Sequence, residues 1–315
     1  MSEPASEKVW RRRHLLDIQS LSRLEIEYLF ATAKTFREVS TRSVKKVPAL
    51  RGQVIVNLFY EPSTRTRISF SLAAQRLSAD VVDFISDSSS IKKGETLLDT
   101  TQNILAMGVD TLVVRHSAPG APRYLAARVN ASIINAGDGA HEHPTQGLLD
   151  LYTVLDKVGS VTGKTVAIVG DIMHSRVARS DMQAFLKFGA RVVLVGPPTL
   201  VPRSFLQIPG VSINYSLDDV MKEADVFCLL RMQHERQGSS AVPSLEEYSR
   251  LYGLNQHRMA RAKDCALVLH PGPMNRGIEI TPEVADGRNS AILEQVTNGL
   301  AIRMAVLYLV AGGTE

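Results

Sequence analysis

The chain has 315 residues, more than the ~250–300 at which a single core stops growing, so two domains are expected. Its formal net charge of +4 is spread along the chain and not gathered into a basic stretch with interleaved aromatics, which argues against nucleic-acid binding. The longest apolar runs, such as 166–169 and 266–269, are strand-sized and far short of the ~20 residues a bilayer requires, so no membrane span is expected.

In chain order, residues 1–8 are polar, and Arg11, Arg12 and Arg13 lead into an amphipathic pattern unlike a secretory signal. Asp17, Glu25 and Glu27 speak against an organelle transit peptide. Apolar residues at helical spacing over 15–36, with Ser20 placed to cap, predict an opening helix. Strands are then expected at 54–59, 81–85, 110–114 and 132–135, alternating with helices after Ser63 and over 95–107, 121–129 and 144–158. Residues 159–164 read as a hinge, and a second α/β series follows. Its strands are expected at 165–169, 191–195, 212–215, 226–230 and 266–270, and its helices at 177–188, 217–223 and 255–262.

This alternation predicts the α/β class, with two doubly wound parallel-sheet domains, the first over 1–150 and the second over 151–290. The last helix, 292–310, is apolar on one side, and the segment 291–315 is expected to pack back on the first domain. The two cysteines, Cys228 and Cys265, each lie within an apolar run, which predicts buried thiols in a reducing compartment and a cytoplasmic protein.

Ligands of open α/β sheets bind beyond the carboxyl ends of the strands, so the polar residues following each strand carry the chemistry. Glu61-Pro62-Ser63-Thr64-Arg65-Thr66-Arg67 follows a strand and opens a helix. Hydroxyls, backbone N–H groups and a guanidinium converge there at the positive end of a helix dipole, as a phosphate requires. An ordinary Ser/Thr cap needs neither the second arginine nor the third hydroxyl. The segment Ser63-Thr64-Arg65-Thr66-Arg67 resembles the carbamoyl-phosphate motif of the aspartate and ornithine carbamoyltransferases.

That resemblance extends over essentially the whole chain and implies roles for further residues. Ser88-Ser89-Ser90-Ile91-Lys92-Lys93-Gly94-Glu95 reads on composition as a surface loop. It is similar to the loop that aspartate carbamoyltransferases extend into a neighbouring subunit's active site, with Ser89 and Lys93 matching and Ser90 the alternative to Ser89. The family pattern places Arg115 and His143 at the carbamoyl oxygen and Gln146 at the carbamoyl amino group. His141 and His143 form a His-x-His pair, but no carboxylate or cysteine clusters near it in sequence, so no metal is expected. Val169-Gly170-Asp171 ends a strand yet lacks the glycine trio of a dinucleotide fingerprint, and no cofactor is expected.

Arg176, Arg231 and Gln233 match the family residues that grip the two carboxylates of aspartate, a task suited to planar guanidinium forks. Pro271 and Gly272, in the turn His270-Pro271-Gly272-Pro273, join them. An ornithine site would need an acidic group and, in that family, a His-Cys-Leu-Pro segment, neither of which occurs at these positions. The intact motif set also argues against a non-catalytic scaffold. The implied reaction joins carbamoyl phosphate to L-aspartate, an early step of pyrimidine synthesis, in a homotrimer with shared active sites. The segment Met274 to Ile280 departs from the best-known bacterial members. It is similar to the branch whose catalytic chain pairs with a dihydroorotase or dihydroorotase-like chain; a regulatory chain is the alternative partner.

Overall fold

The computed structural model describes residues 9–85, 94–232 and 244–312. Two compact units divide the chain: one comprises residues 1–139, 143–145 and 299–315, the other 140–142 and 146–298. The first holds α1 (Arg23–Val39), β1 (Val54–Phe59), α2 (Thr64–Arg76), β2 (Asp80–Ile85), α3 (Leu97–Leu105), β3 (Thr111–His116), α4 (Ala121–Ala126) and β4 (Ser132–Asp138). Its sheet is parallel throughout, in the order β2-β1-β3-β4.

Next comes α5 (Pro144–Val158), so the boundary expected after residue 150 falls inside a helix. The second unit continues with β5 (Thr165–Val169), α6 (Arg176–Lys187), β6 (Arg191–Val195), β7 (Val211–Asn214), α7 (Leu217–Val220), β8 (Val226–Leu229), α8 (Leu245–Tyr252), α9 (Gln256–Met259), β9 (Leu267–Leu269) and α10 (Pro282–Ala285). Its five parallel strands run β7-β6-β5-β8-β9. Every residue of β5 and β8 is buried, as expected of central parallel strands covered on both faces. Phe185 of α6 and Phe227 of β8 are fully buried, and each such side chain contributes about 2–3 kcal/mol.

Three expectations are corrected. The opening helix starts at Arg23, because Ser22 and not Ser20 is its cap: the Ser22 hydroxyl accepts the Glu25 N–H while the Glu25 carboxylate accepts the Ser22 N–H. The preceding residues pair with β4 instead, Leu15 N–H donating to Ile133 O at 2.9 Å and its carbonyl accepting from Asn135 N–H at 2.8 Å. Cys228 is buried but Cys265 is exposed. Finally, α11 (Ile292–Gly312) is not one-sided throughout, since residues 301–307 are buried all round. From residue 299 onward α11 belongs with the first unit, where Arg303 Nη1 donates to Ser69 Oγ at 2.8 Å and Ser132 Oγ to Val310 O at 3.2 Å.

The second unit is fastened by one buried arginine. Arg258 donates to the carbonyls of Gly253, Arg250 and Leu251 at the end of α8 and forms two bonds with the Asp218 carboxylate, at 3.2 and 3.0 Å. Those bonds, aided by Arg261, hold the Asp218 carboxyl below its usual range. Arg258→Ala would leave these acceptors without their donor. We expect it to lower stability by about 2–4 kcal/mol, read as a shift in the urea midpoint, while Arg261→Ala, at an exposed pair, shifts it little. Among the described residues no helix is long and apolar enough to cross a membrane.

Candidate active site

Strand order reverses once in each sheet, and each reversal collects the polar residues singled out by the sequence. In the first sheet β1 lies between β2 and β3, so the connections leaving β1 and β3 diverge and open a crevice at the carboxyl edge. Phe59 pairs with Arg115 across that edge, and Tyr60 N–H donates to Arg115 O at 2.8 Å. The β1 connection then enters α2 through Ser63. Ser63 is extended (φ −163°), its side chain makes no capping bond, and no acidic residue occupies the first turn of α2.

The contrast with other helices is informative. At the starts of α1, α3, α6, α7, α8 and α9 a Ser, Thr or Asn side chain accepts a backbone N–H of the first turn. At α2 the Ser63 side chain makes no such bond, and the positive end of the helix dipole favours an anion there. Thr64 and Arg65 are exposed on this turn and Thr66 is buried. Arg115 is anchored by Nη1 donating to Ala136 O at 3.2 Å and by Glu61, whose Oε2 is 3.7 Å from Arg115 Nε. Sequence reading quoted Glu61 without giving it a role; its partner lies 54 positions away and only the pairing of β1 with β3 brings the two together. Burial lowers the His116 pKa from its ordinary value, so this neighbouring imidazole adds no charge at neutral pH.

His143, 4% exposed, follows the turn after β4 and immediately precedes α5. That turn is braced inside the first unit: Asp138 accepts from Gly120 N–H at 2.7 Å and Asn135 Nδ2 at 2.8 Å. Gly139, at φ +50°, has no room for a side chain, since a Cβ there would lie 2.6 Å from the Pro119 ring. Gln146 is buried in the first turn of α5 and belongs to the second unit.

In the second sheet β5 lies between β6 and β8, and the reversal brings together the ends of β5 and β8. The β5 connection runs through Gly170 to α6, whose first residue is Arg176; the β8 connection begins with Leu230 and Arg231. Gly170 is at φ +132°, where a Cβ would meet Leu230 Cβ at 3.1 Å, so the two connections approach to backbone contact. Arg176 is 3% exposed and Arg231 half-buried. Two arginines thus lie on the connections that follow adjacent strands of one sheet.

Pro271 and Gly272 follow β9, with Gly272 N–H donating to His270 Nδ1 at 2.8 Å. Gly272 takes φ +64°, a left-handed conformation that favours glycine. Glu279 bonds His270 Nε2 at 3.2 Å and Asn275 N–H at 2.6 Å, tying down the segment Met274 to Ile280. Ser89, Ser90, Lys93 and Gln233 lie outside the described residues. Among the described residues no cluster of three metal-ligating side chains occurs.

Residues 13–156 match the carbamoyl-phosphate-binding domain of the aspartate/ornithine carbamoyltransferases, and residues 162–310 match their Asp/Orn-binding domain. The aspartate carbamoyltransferase catalytic subunit of Opitutus terrae is 56% identical over 304 residues, covering 96% of each chain. The chain belongs to the aspartate carbamoyltransferases. The catalytic subunit from Halothermothrix orenii is 55% identical over 302 residues, again 96% of each chain. Among solved structures, aspartate transcarbamoylase of Trypanosoma cruzi in complex with N-(phosphonacetyl)-L-aspartic acid is 33% identical, with a TM-score of 0.86 over 94% of this chain and 95% of that one. The same enzyme with carbamoyl phosphate and aspartate is 32% identical, with a TM-score of 0.86 over 94% and 96%. The carbamoyltransferase fold therefore spans both sheets.

Proposed function

We propose that this chain transfers the carbamoyl group of carbamoyl phosphate to the amine of L-aspartate, giving N-carbamoyl-L-aspartate and phosphate, an early step of de novo pyrimidine synthesis. The observation that carries the reading is that residues suited to anions follow the strands at the two sheet reversals. Ser63, Thr64, Arg65 and Thr66 take the phosphate, and Arg176 and Arg231, with Gln233, take the aspartate carboxylates. Pro271 and Gly272 border the aspartate, and Lys93 and Ser89 reach the site from a neighbouring subunit of a homotrimer.

The uncharged amine attacks the carbonyl carbon, and negative charge develops on the carbamoyl oxygen as a tetrahedral intermediate forms. Thr66, Arg115 and His143 donate to that oxygen, and Gln146 accepts from the carbamoyl amino group. The C–O bond to phosphate then breaks, and the leaving phosphate accepts the amine proton. Carbamoyl phosphate is already activated, so no covalent enzyme intermediate is required. The unpaired thiols of Cys228 and Cys265 support a reducing, cytoplasmic setting.

The test is an assay of carbamoyl aspartate formation by the purified chain, with ornithine as the competing acceptor and the mass in solution measured alongside. Activity with aspartate, none with ornithine, and a trimer mass are expected; appreciable ornithine turnover would sink the reading. Arg231→Ala should raise the aspartate KM by about 10–100-fold and leave carbamoyl phosphate binding nearly intact. Such a split is the signature of a contact to the second substrate alone. A dihydroorotase or dihydroorotase-like partner, or a regulatory chain, would show as a larger assembly when co-expressed.

A further inference from the structure

Gln146 does not stand alone in the second unit. Its Nε2 donates to Asp150 Oδ1 at 2.9 Å, and the same oxygen accepts from Gln295 Nε2 at 2.6 Å. Gln295 in turn accepts the His270 N–H through Oε1 at 2.9 Å. The charge of Asp150 is also felt by Asp181 of α6, and both residues are 1% exposed. Two carboxylates cannot both stay ionised at such a place, because burial and their mutual repulsion favour retention of one proton.

Which aspartate holds that proton follows from the donors. Asp150 Oδ1 receives two N–H groups, which stabilise negative charge there. Burial, then the charge and hydrogen bond of Asp150, push the Asp181 carboxyl well above its ordinary range. Asp181 is therefore the acid, whereas Asp150 is the carboxylate and only accepts.

A consequence for Gln146 follows at once. An amide facing an ionised carboxylate must present its NH2 end, because turning Oε1 inward would set two acceptors against each other. Gln146 Oε1 is thus fixed facing away from Asp150.

We propose that Asp150, whose Oδ1 accepts from both Gln146 and Gln295, is a positioning residue that holds the Gln146 amide with Oε1 outward, so that the site selects an N–H donor on the acyl carbon and discriminates the carbamoyl group from an acetyl group. The inference rests on the assignment of Gln146 to the carbamoyl amino group. Acetyl phosphate carries a methyl in place of that amine and offers Oε1 nothing to accept. A glutamine free to rotate could present either end and would discriminate less. The link from Gln295 to His270 N–H ties the same carboxylate to the residue that precedes Pro271 and Gly272.

The experiment measures the affinities of the purified protein for carbamoyl phosphate and for acetyl phosphate by calorimetry, in wild type, Gln146→Ala, Asp150→Ala, the double variant and Asp181→Asn. Gln146→Ala should reduce the preference for carbamoyl phosphate about tenfold, the value of one well-made hydrogen bond. Asp150→Ala should reduce it about as much, and the double variant no further, because both act through one contact. A role confined to folding would weaken both ligands alike and leave their ratio unchanged. Asp181→Asn, which keeps a donor toward Asp150, should retain the wild-type preference. Asp150→Asn keeps the shape should Asp150→Ala fail to fold, and as an uncharged acceptor it should lower the preference by roughly threefold. Undiminished preference in the folded Asp150 variants, with loss in Gln146→Ala, overturns the proposal. Undiminished preference in Gln146→Ala overturns the assignment of Gln146 itself. Loss of preference in Asp181→Asn refutes the placement of the proton.

Discussion

Replacing His143 with alanine is expected to lower kcat by about 10²–10³-fold, the cost of removing one donor from an oxyanion, while both KM values change little. The expectation rests on charge development. The carbamoyl oxygen is a neutral carbonyl acceptor in bound substrate and carries nearly a full negative charge in the tetrahedral intermediate. A donor aimed at it is therefore worth far more in the transition state than in the ground state. His143 suits that task because it is buried, where a hydrogen bond is little weakened by water, and because the preceding turn is braced by Asp138. Steady-state kinetics with both substrates varied provide the check. The comparison is Arg65→Ala, which should weaken carbamoyl phosphate binding as well as turnover, since its proposed contact is to a phosphate charged in both states. A His143→Ala protein with unaltered kcat would remove His143 from the chemistry.

Mixing two inactive variants should restore activity. Lys93→Ala and His143→Ala are each expected to lose most of the rate when assembled alone. In the proposed cyclic trimer every interface is heterologous, so a loop from one subunit can complete the next subunit's site around the ring. A Lys93→Ala subunit keeps an intact His143, and a following His143→Ala subunit supplies an intact Lys93. Each trimer that contains both variants then holds one complete site, whatever its composition. Random reassembly of equal amounts makes about three quarters of the trimers mixed, so about one quarter of wild-type activity should return. Each variant carried through the same dissociation and reassembly by itself is the control. Hybrid trimers verified by native mass spectrometry without recovered activity would mean that Lys93 acts within its own subunit or not at all.

Much of this was legible in the sequence, for local reasons. Alternating strand and helix periodicities announce parallel sheets, because each crossover helix must cover the sheet it leaves. Candidate site residues were legible where they are contiguous or mark an element's end: Ser63 to Arg67 lie in one turn of chain, Arg115 lies at the end of β3, and His143, Arg176 and Arg231 each stand soon after a strand or at the start of a helix. Helix boundaries were legible only where the cap is unambiguous. Ser20 and Ser22 offer the same hydroxyl, and the choice fell to Ser22 because Glu25 completes a reciprocal pair and Leu15 is drawn off to β4.

What only the tertiary structure decided is which distant residues share a place. Strand order is set by how the crossovers pack, not by any one strand, so periodicity could not show that β1 neighbours β3 or that β5 neighbours β8. That order gives Arg115 its partner Glu61 and brings the strands whose connections lead to Arg176 and Arg231 side by side. The pair Asp150 and Asp181 was invisible for the same reason. In sequence each is an ordinary acidic residue within a helical pattern, and the burial and the neighbouring charge that raise the Asp181 pKa arise only when α5 and α6 are folded together. Composition and spacing determined the fold class and the anion-binding motifs, because those depend on neighbours along the chain. The ionisation of a buried group and the facing of an amide depend on neighbours in space, which the folded chain alone supplies.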